Sequence, residues 1–86
     1  MIYRIYTENK FKEGLLKNLD GYLPAYTVYE GQGRWQGSSE PSLVIEYIGS
    51  ETDHALVRNI AACIKGYNSQ QAVLVIKIQE AESFTV

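Results

Sequence analysis

The apolar and polar positions of this chain follow two different periods along its length. Short runs rich in β-branched and aromatic residues predict strands, and apolar residues at helical spacing predict helices. The predicted elements are a strand over 2–6, a helix from an N-cap at Thr7 to about Asp20, strands over 25–30 and 43–48, a helix from Ser50 to Tyr67, and a strand over 72–78. The order β-α-β-β-α-β predicts one α+β domain over 1–86, ferredoxin-like, with an antiparallel sheet and both helices on one face.

The last predicted strand carries apolar residues on both of its faces. Positions 72, 74, 76 and 78 are apolar on one face, and positions 73 and 75 are apolar on the other. A sheet with one face in water should instead alternate apolar and polar residues. We therefore expect a second copy of the chain to cover the face away from the helices. A trimer with inward-facing sheets and a dimer both satisfy this expectation.

The length and the cysteine content also favour an oligomer. A chain of 86 residues buries a small core, and a single cysteine, Cys63, cannot form an intrachain disulfide. Association with further copies is then the expected source of added stability. Cys63 itself falls on the apolar stripe of the second predicted helix, which includes Leu56, Ile60, Ile64 and Tyr67, and this position predicts a buried thiol.

The charge and hydropathy of the chain exclude several classes of partner. Ten acidic residues against eight basic ones give a net charge of −2, which argues against binding to a nucleic-acid backbone. No apolar run approaches the roughly 20 residues that span a bilayer, so no membrane partner is expected. The N-terminus lacks the pattern of a signal peptide, and the cytoplasm is therefore the expected location.

The sequence lacks most of the residue sets that carry enzyme chemistry. His54 is the sole histidine, it has no nucleophile in a recognisable motif, and its place in a first helical turn predicts a surface residue. Three glycines of the segment 31–37 follow a predicted strand, but another strand comes next where a phosphate-binding loop requires a helix. We therefore expect neither a metal nor a cofactor.

One stretch, residues 26–42, concentrates aromatic, charged and glycine residues. Residues 31–42 of this stretch are rich in Gly, Ser and Gln and predict a loop, or a strand that frays into one. Aromatic faces stack on adenine and attract a cation, glycines admit a close backbone approach, and a carboxylate binds an ammonium group. The candidate residues are Tyr26, Tyr29, Gly33, Arg34, Trp35 and Glu40. The alternative interpretation is a flexible hairpin in which Trp35 packs at its base or on a neighbouring subunit.

Several short segments between about Gly21 and Gln79 are distinctive in their order and spacing. These are Gly33-Arg34-Trp35, Ser38-Ser39-Glu40, Thr52-Asp53 with Ala55 and Leu56, Asn59-Ile60-Ala61, and residues 71–77. In these segments the chain resembles the bacteriophage S-adenosylmethionine (SAM) lyases, formerly described as SAM hydrolases. That family is similar in fold to the trimeric P-II-like signalling proteins, which hold ligands between subunits.

The resemblance implies a reaction that needs no metal, cofactor or catalytic triad. The carboxylate of SAM attacks its own γ-carbon, and the products are homoserine lactone and 5'-methylthioadenosine. Glu40 would be the essential acid that anchors the substrate, and Tyr29 would place a hydroxyl near the methionine moiety. Gly33 and Arg34 would belong to the same substrate site. Tyr26 and Trp35 are our own inference as aromatic contacts, and the host cytoplasm would be the location if the chain is phage-encoded.

Two other functions remain open at this point. A P-II-like protein would bind an adenine nucleotide in the same intersubunit pocket without turnover. A pure interaction module would use residues 31–42 as an interface loop and bind no small molecule.

Overall fold

The computed structural model describes residues 1–79 and 82–86. In chain order its elements are β1 (Ile2–Glu8), α1 (Lys12–Asp20), β2 (Thr27–Trp35), β3 (Ser38–Ile48), α2 (His54–Tyr67) and β4 (Leu74–Ile78). A short 3-10 turn, Glu51–Asp53, leads into α2. The four strands form one sheet in the order β2-β3-β1-β4, and each neighbouring pair is antiparallel. The α+β prediction is confirmed, and this strand order is compatible with a ferredoxin-like fold.

The core lies between one face of the sheet and the two helices. Alternate residues of the two central strands point into it, because side chains alternate across a strand. Those residues, Tyr3, Ile5, Leu43 and Ile45, are each at most 1% exposed. Apolar residues of α1 and α2 belong to the same buried cluster: Leu15, Leu19, Val57, Ile60 and Ile64. Both helices therefore pack on one face of the sheet, and the other face, called the open face below, has no cover from the described part of the chain.

The open face carries the opposite set of alternate residues. Cross-strand pairing places Arg4, Glu46 and Ile76 in one row and Tyr6, Val44 and Leu74 in the next. Large apolar side chains stay accessible there, including Ile48 at 66% and Leu74 at 59% of their surface. Val73 and Val75, on the other face of the β4 segment, pack against the core. Both faces of the sheet thus carry apolar residues, as predicted. In the single chain the helices cover one of these faces, and the other face is exposed.

Residues 31–42 form a long hairpin in the structure. The β2–β3 pairing continues from Thr27 opposite Glu46 to Trp35 opposite Ser38. Gln36 and Gly37 make a two-residue connection with φ values of 48° and 83°. Positive φ at both central positions is the requirement of the hairpin turn that matches the twist of the flanking strands. Of the two alternatives left by the sequence, the strand is therefore the observed one.

Gly37 provides a test of this turn. We expect Gly37→Ala to destabilise the protein by about 1–2 kcal/mol, since an alanine with positive φ brings its Cβ too close to the carbonyl oxygen. Gly66→Ala is the matched control, because a Cβ added at that helical position meets nothing within 4 Å. The control should leave the free energy of unfolding unchanged or raise it slightly. Urea unfolding measures both, and equal effects of the two substitutions would contradict the turn geometry.

Two details of the helices differ from the sequence prediction. Thr7 is not the N-cap of α1, because β1 stays paired with β3 as far as Glu8 and the helix begins only at Lys12. Cys63 is exposed, not buried. The buried stripe of α2 consists of Val57, Ile60, Ala61 and Ile64. The helix is rotated relative to the predicted stripe, so that Cys63 lies beside its buried face. His54 is exposed, as predicted.

Candidate functional site

An open groove lies where the β2–β3 hairpin extends beyond the end of β1. It has a volume of about 550 Å³ and is called the hairpin groove below. Its lining residues are Tyr6, Thr7, Glu8, Gly33, Trp35, Glu40, Ser42 and the segment Ser69–Ala72. The groove forms because β4 is shorter than β1. β4 begins opposite Tyr6, so the last two residues of β1 have no partner in β4, and the segment that precedes β4 borders the groove there.

Glu40 and Gly33 face each other across the hairpin within this groove. They are directly paired residues of β2 and β3. A Cβ added at Gly33 would lie 3.5 Å from the Glu40 side chain, in ordinary van der Waals contact with it, so the glycine leaves room for no more than about a methyl group there. Glu40 is partly buried, and none of the described residues forms a hydrogen bond or an ion pair with its carboxylate. It is therefore available to a cationic ligand.

Trp35 supplies the aromatic surface of the groove. It is the only tryptophan of the chain, and 67% of its surface is exposed. Because Trp35 and Gly33 are two residues apart on one strand, they lie on the same face of the sheet. An exposed indole beside a free carboxylate is an arrangement that binds a cation carrying an aromatic group.

Glu8, Tyr6 and Gln70 line the groove but were not among the candidates from the sequence. Glu8 lies opposite Ser42, and its carboxylate forms an ion pair with Lys10 at 2.8 Å. The second carboxylate of the groove is thus already neutralised, whereas Glu40 is not. These residues come from β1 and from the segment before β4, and only the tertiary pairing of the strands brings them to the hairpin.

Tyr29 shares the open face with Glu40 but does not line the hairpin groove. It is paired with Val44, four residues along β3 from Glu40, which is about 13 Å at the rise of a strand. Its hydroxyl donates to Glu46 Oε2 at 3.4 Å, and Glu46 also accepts from Arg4 Nε at 2.8 Å. The hydroxyl of Tyr29 therefore lies in a polar row near the middle of the sheet.

Tyr26 and Arg34 lie away from the groove. The Tyr26 hydroxyl donates to Asp20 Oδ1 at 2.6 Å and lies 3.1 Å from the Leu16 carbonyl oxygen, which places the ring beside α1. Arg34 is on the opposite face of β2 from Gly33 and Trp35. Its guanidinium donates to the Gly37 carbonyl oxygen of the hairpin turn at 3.0 Å. The structure brings together three of the six candidate residues: Gly33, Trp35 and Glu40.

The environment of Tyr26 gives a pH-dependent prediction. Burial of the ring, and next the hydrogen bond to Asp20, raise the pKa of Tyr26 to about 12. An unfolded tyrosine has a pKa of ~10, so the neutral phenol contributes stability that is complete below that pH. We expect this contribution to disappear as the pH rises from ~10 through 12.

In a titration followed by phenolate absorbance, Tyr26→Phe should remove one tyrosine from the late step, which is the step at the highest pH. The variant should also lose less stability between pH ~10 and 12. Tyr22→Phe, at an exposed position, is the control and should leave the late step in place. An unchanged late step in the Tyr26→Phe variant would contradict the assignment.

The described residues contain no group of three or more His, Cys, Asp or Glu side chains that could hold a metal ion. In the same part of the chain, no helix has the length and apolar composition needed to cross a membrane. Comparison with protein-family models and with characterised proteins finds no match to this chain.

Proposed function

We propose that the protein binds SAM in the hairpin groove and cleaves it to 5'-methylthioadenosine and homoserine lactone. One observation carries the proposal: the groove joins the exposed indole of Trp35 to the partly buried carboxylate of Glu40, which has no partner among residues 1–79 and 82–86. SAM combines two cationic centres with an adenine ring, and it therefore matches both groups. The resemblance of the sequence to the phage SAM lyases supports the same assignment.

The proposed role of Glu40 is to bind the α-ammonium group of SAM. This group keeps its charge throughout the reaction, so its ion pair with Glu40 is present in the ground state and in the transition state. Trp35 would stack on the adenine ring or face the sulfonium, and Gly33 would let the substrate approach the backbone of the hairpin closely. Held by one end, the methionine moiety can fold until its carboxylate lies behind the γ-carbon.

The bond changes then take place within the substrate. A carboxylate oxygen forms a bond to the γ-carbon while the bond from that carbon to sulfur breaks, and its electron pair passes to sulfur. The sulfonium becomes a neutral thioether and the carboxylate becomes a lactone. Because opposite charges disappear together, a site that excludes water favours the transition state over the charged ground state.

A homo-oligomer is part of the proposal, because the groove of one chain is open to solvent. The exposed apolar residues of the open face, including Ile48 and Leu74, are suited to contact another copy. We favour a P-II-like trimer in which this contact also closes the hairpin groove. Tyr29 does not line the hairpin groove of its own chain and lies about 13 Å along the sheet from Glu40, so we assign its proposed role to Tyr29 of a neighbouring subunit. The cytoplasm remains the predicted location.

Binding is testable through the sole tryptophan. Excitation at 295 nm reports on Trp35, and we expect SAM to change its emission saturably. At a ligand concentration 100 times the dissociation constant, SAM should also stabilise the fold by about 2.7 kcal/mol. Methionine alone, which lacks the adenine ring and the sulfonium, is the matched control and should bind far more weakly. If SAM changes neither the emission of Trp35 nor the melting temperature, the proposal is contradicted.

A P-II-like protein that binds an adenine nucleotide without turnover is the alternative. It would pass the binding test with ATP, and SAM would remain intact during incubation. Product formation therefore separates the two functions.

A further inference from the structure

A second groove lies between α2 and the outer edge of β4, and it is called the α2–β4 groove. Its volume is about 470 Å³. The floor is apolar: Val73 and Val75 are partly exposed there, and the buried residues Tyr3, Val57 and Ala61 lie beneath them. Its remaining lining includes four basic side chains: His54, Arg58, Lys65 and Lys77. A basic rim over an apolar floor, in a chain of net charge −2, indicates a ligand that is both acidic and apolar.

Arg58 and Lys65 are the lysine and arginine side chains of this rim that have no acidic partner among the described residues. Lys77 is paired with Glu51 and lies 3.3 Å from His54 Nδ1. For Arg58 and Lys65, residues 1–79 and 82–86 supply no ion pair. Both are exposed on α2, seven residues and about 10 Å apart along the helix axis. They are therefore available to acidic groups placed along the groove.

β4 is an edge strand beside this groove. In the described sheet it pairs only with β1, so the backbone groups along its outer edge are free to pair with an added strand. A free strand edge next to a helix is the geometry in which an extended peptide is bound by strand addition. Every second side chain of such a peptide would point into the groove.

The end of the sequence has the composition that this groove requires. Glu82, Phe84 and Val86 are spaced two residues apart, so they share one face of an extended strand. Phe84 is 81% exposed, and the segment 82–86 forms no strand with β4 of its own chain. In extended form this segment spans about 13 Å, similar to the separation of Arg58 and Lys65.

We propose that residues 82–86 of a second copy bind along β4 in the α2–β4 groove. Glu82 pairs with Arg58 or Lys65, and Phe84 and Val86 cover the apolar floor. The inference is independent of SAM cleavage, because none of these five residues lines the hairpin groove.

The test uses a fluorescent peptide with the sequence of residues 79–86 and the full-length protein. Fluorescence anisotropy should show saturable binding, weakened at least about tenfold by the double variant Arg58→Glu/Lys65→Glu. Lys17→Glu, the same charge change at an exposed position of α1, is the control and should bind as the wild type does. A peptide with Glu82→Lys should bind the double variant more tightly than it binds the wild type.

The other results overturn the proposal in distinct ways. Absence of peptide binding removes the interaction. Binding that survives the double variant places the peptide elsewhere. If a peptide with Phe84→Ala and Val86→Ala binds as tightly as the unsubstituted peptide, the groove binds acidic peptides in general. That result removes the assignment of this segment. SAM turnover by the double variant, measured separately, reports on the hairpin groove alone.

Discussion

Replacement of Glu40 by glutamine is expected to lower kcat/KM for SAM by about 10- to 100-fold without disrupting the fold. A hydrogen bond between charged groups contributes roughly 1.5–3 kcal/mol, and each 1.4 kcal/mol changes a rate or binding constant about tenfold. Glu40→Gln keeps the size of the side chain and removes its charge. The effect should be large because Glu40 is the only carboxylate lining the described groove that lacks a cationic partner.

Glu13→Gln is the matched control for this prediction. Glu13 is an exposed residue of the first turn of α1, outside the groove, and its loss of charge should leave turnover within about twofold of the wild type. Circular dichroism and thermal unfolding should show that both variants are folded. A wild-type value of kcat/KM for Glu40→Gln would remove Glu40 from the mechanism.

Replacement of Ile45 by alanine is expected to destabilise the domain by about 2–5 kcal/mol, as large-to-small substitutions in a core do. Ile45 is fully buried at the centre of the sheet, where it pairs with Ile5 on one side and Val28 on the other. Small domains have a total stability of roughly 5–15 kcal/mol, so this loss is a large fraction of it. We expect the melting temperature to fall by about 10 °C or more.

Ile48→Ala is the control for Ile45→Ala, because it removes the same atoms from the same strand at a position that is 66% exposed. At protein concentrations that give monomers, its effect should stay within about 0.5 kcal/mol. If a second copy covers the open face, Ile48→Ala should weaken self-association in sedimentation velocity experiments. Equal destabilisation of the monomer by the two substitutions would contradict the described arrangement of the sheet faces.

The order of the elements could be predicted from the sequence because each carries a clear hydrophobic period. The extent of the hairpin could not, since Gly, Ser and Gln residues have weak strand preferences and cross-strand pairing alone holds residues 31–35 and 38–42 in strands. The orientation of Cys63 also depended on tertiary packing. Several apolar stripes can be drawn on α2, and contact with β1 and β4 selects the one centred on Ile60 and Ala61.

Only part of the candidate site could be predicted, because the rest of it depends on tertiary strand pairing. Gly33 and Trp35 share a face of β2 because they are two residues apart, and pairing with β3 adds Glu40 to them. The strand period separates Arg34 from that set once β2 is known to extend through residue 35. Glu8 and Gln70 could not be predicted, because they reach the groove only through the β1–β3 pairing and the path of the chain before β4.

The most direct test of the proposed function is incubation of the protein with SAM in metal-free buffer made with ¹⁸O-labelled water, followed by mass spectrometry. We expect 5'-methylthioadenosine and, at early times, homoserine lactone without solvent oxygen, because the ring oxygen comes from the substrate carboxylate. At SAM concentrations below the KM, the Glu40→Gln variant should form both products more slowly, in proportion to its lower kcat/KM. Intact SAM after prolonged incubation with the folded wild-type protein would contradict the enzymatic function.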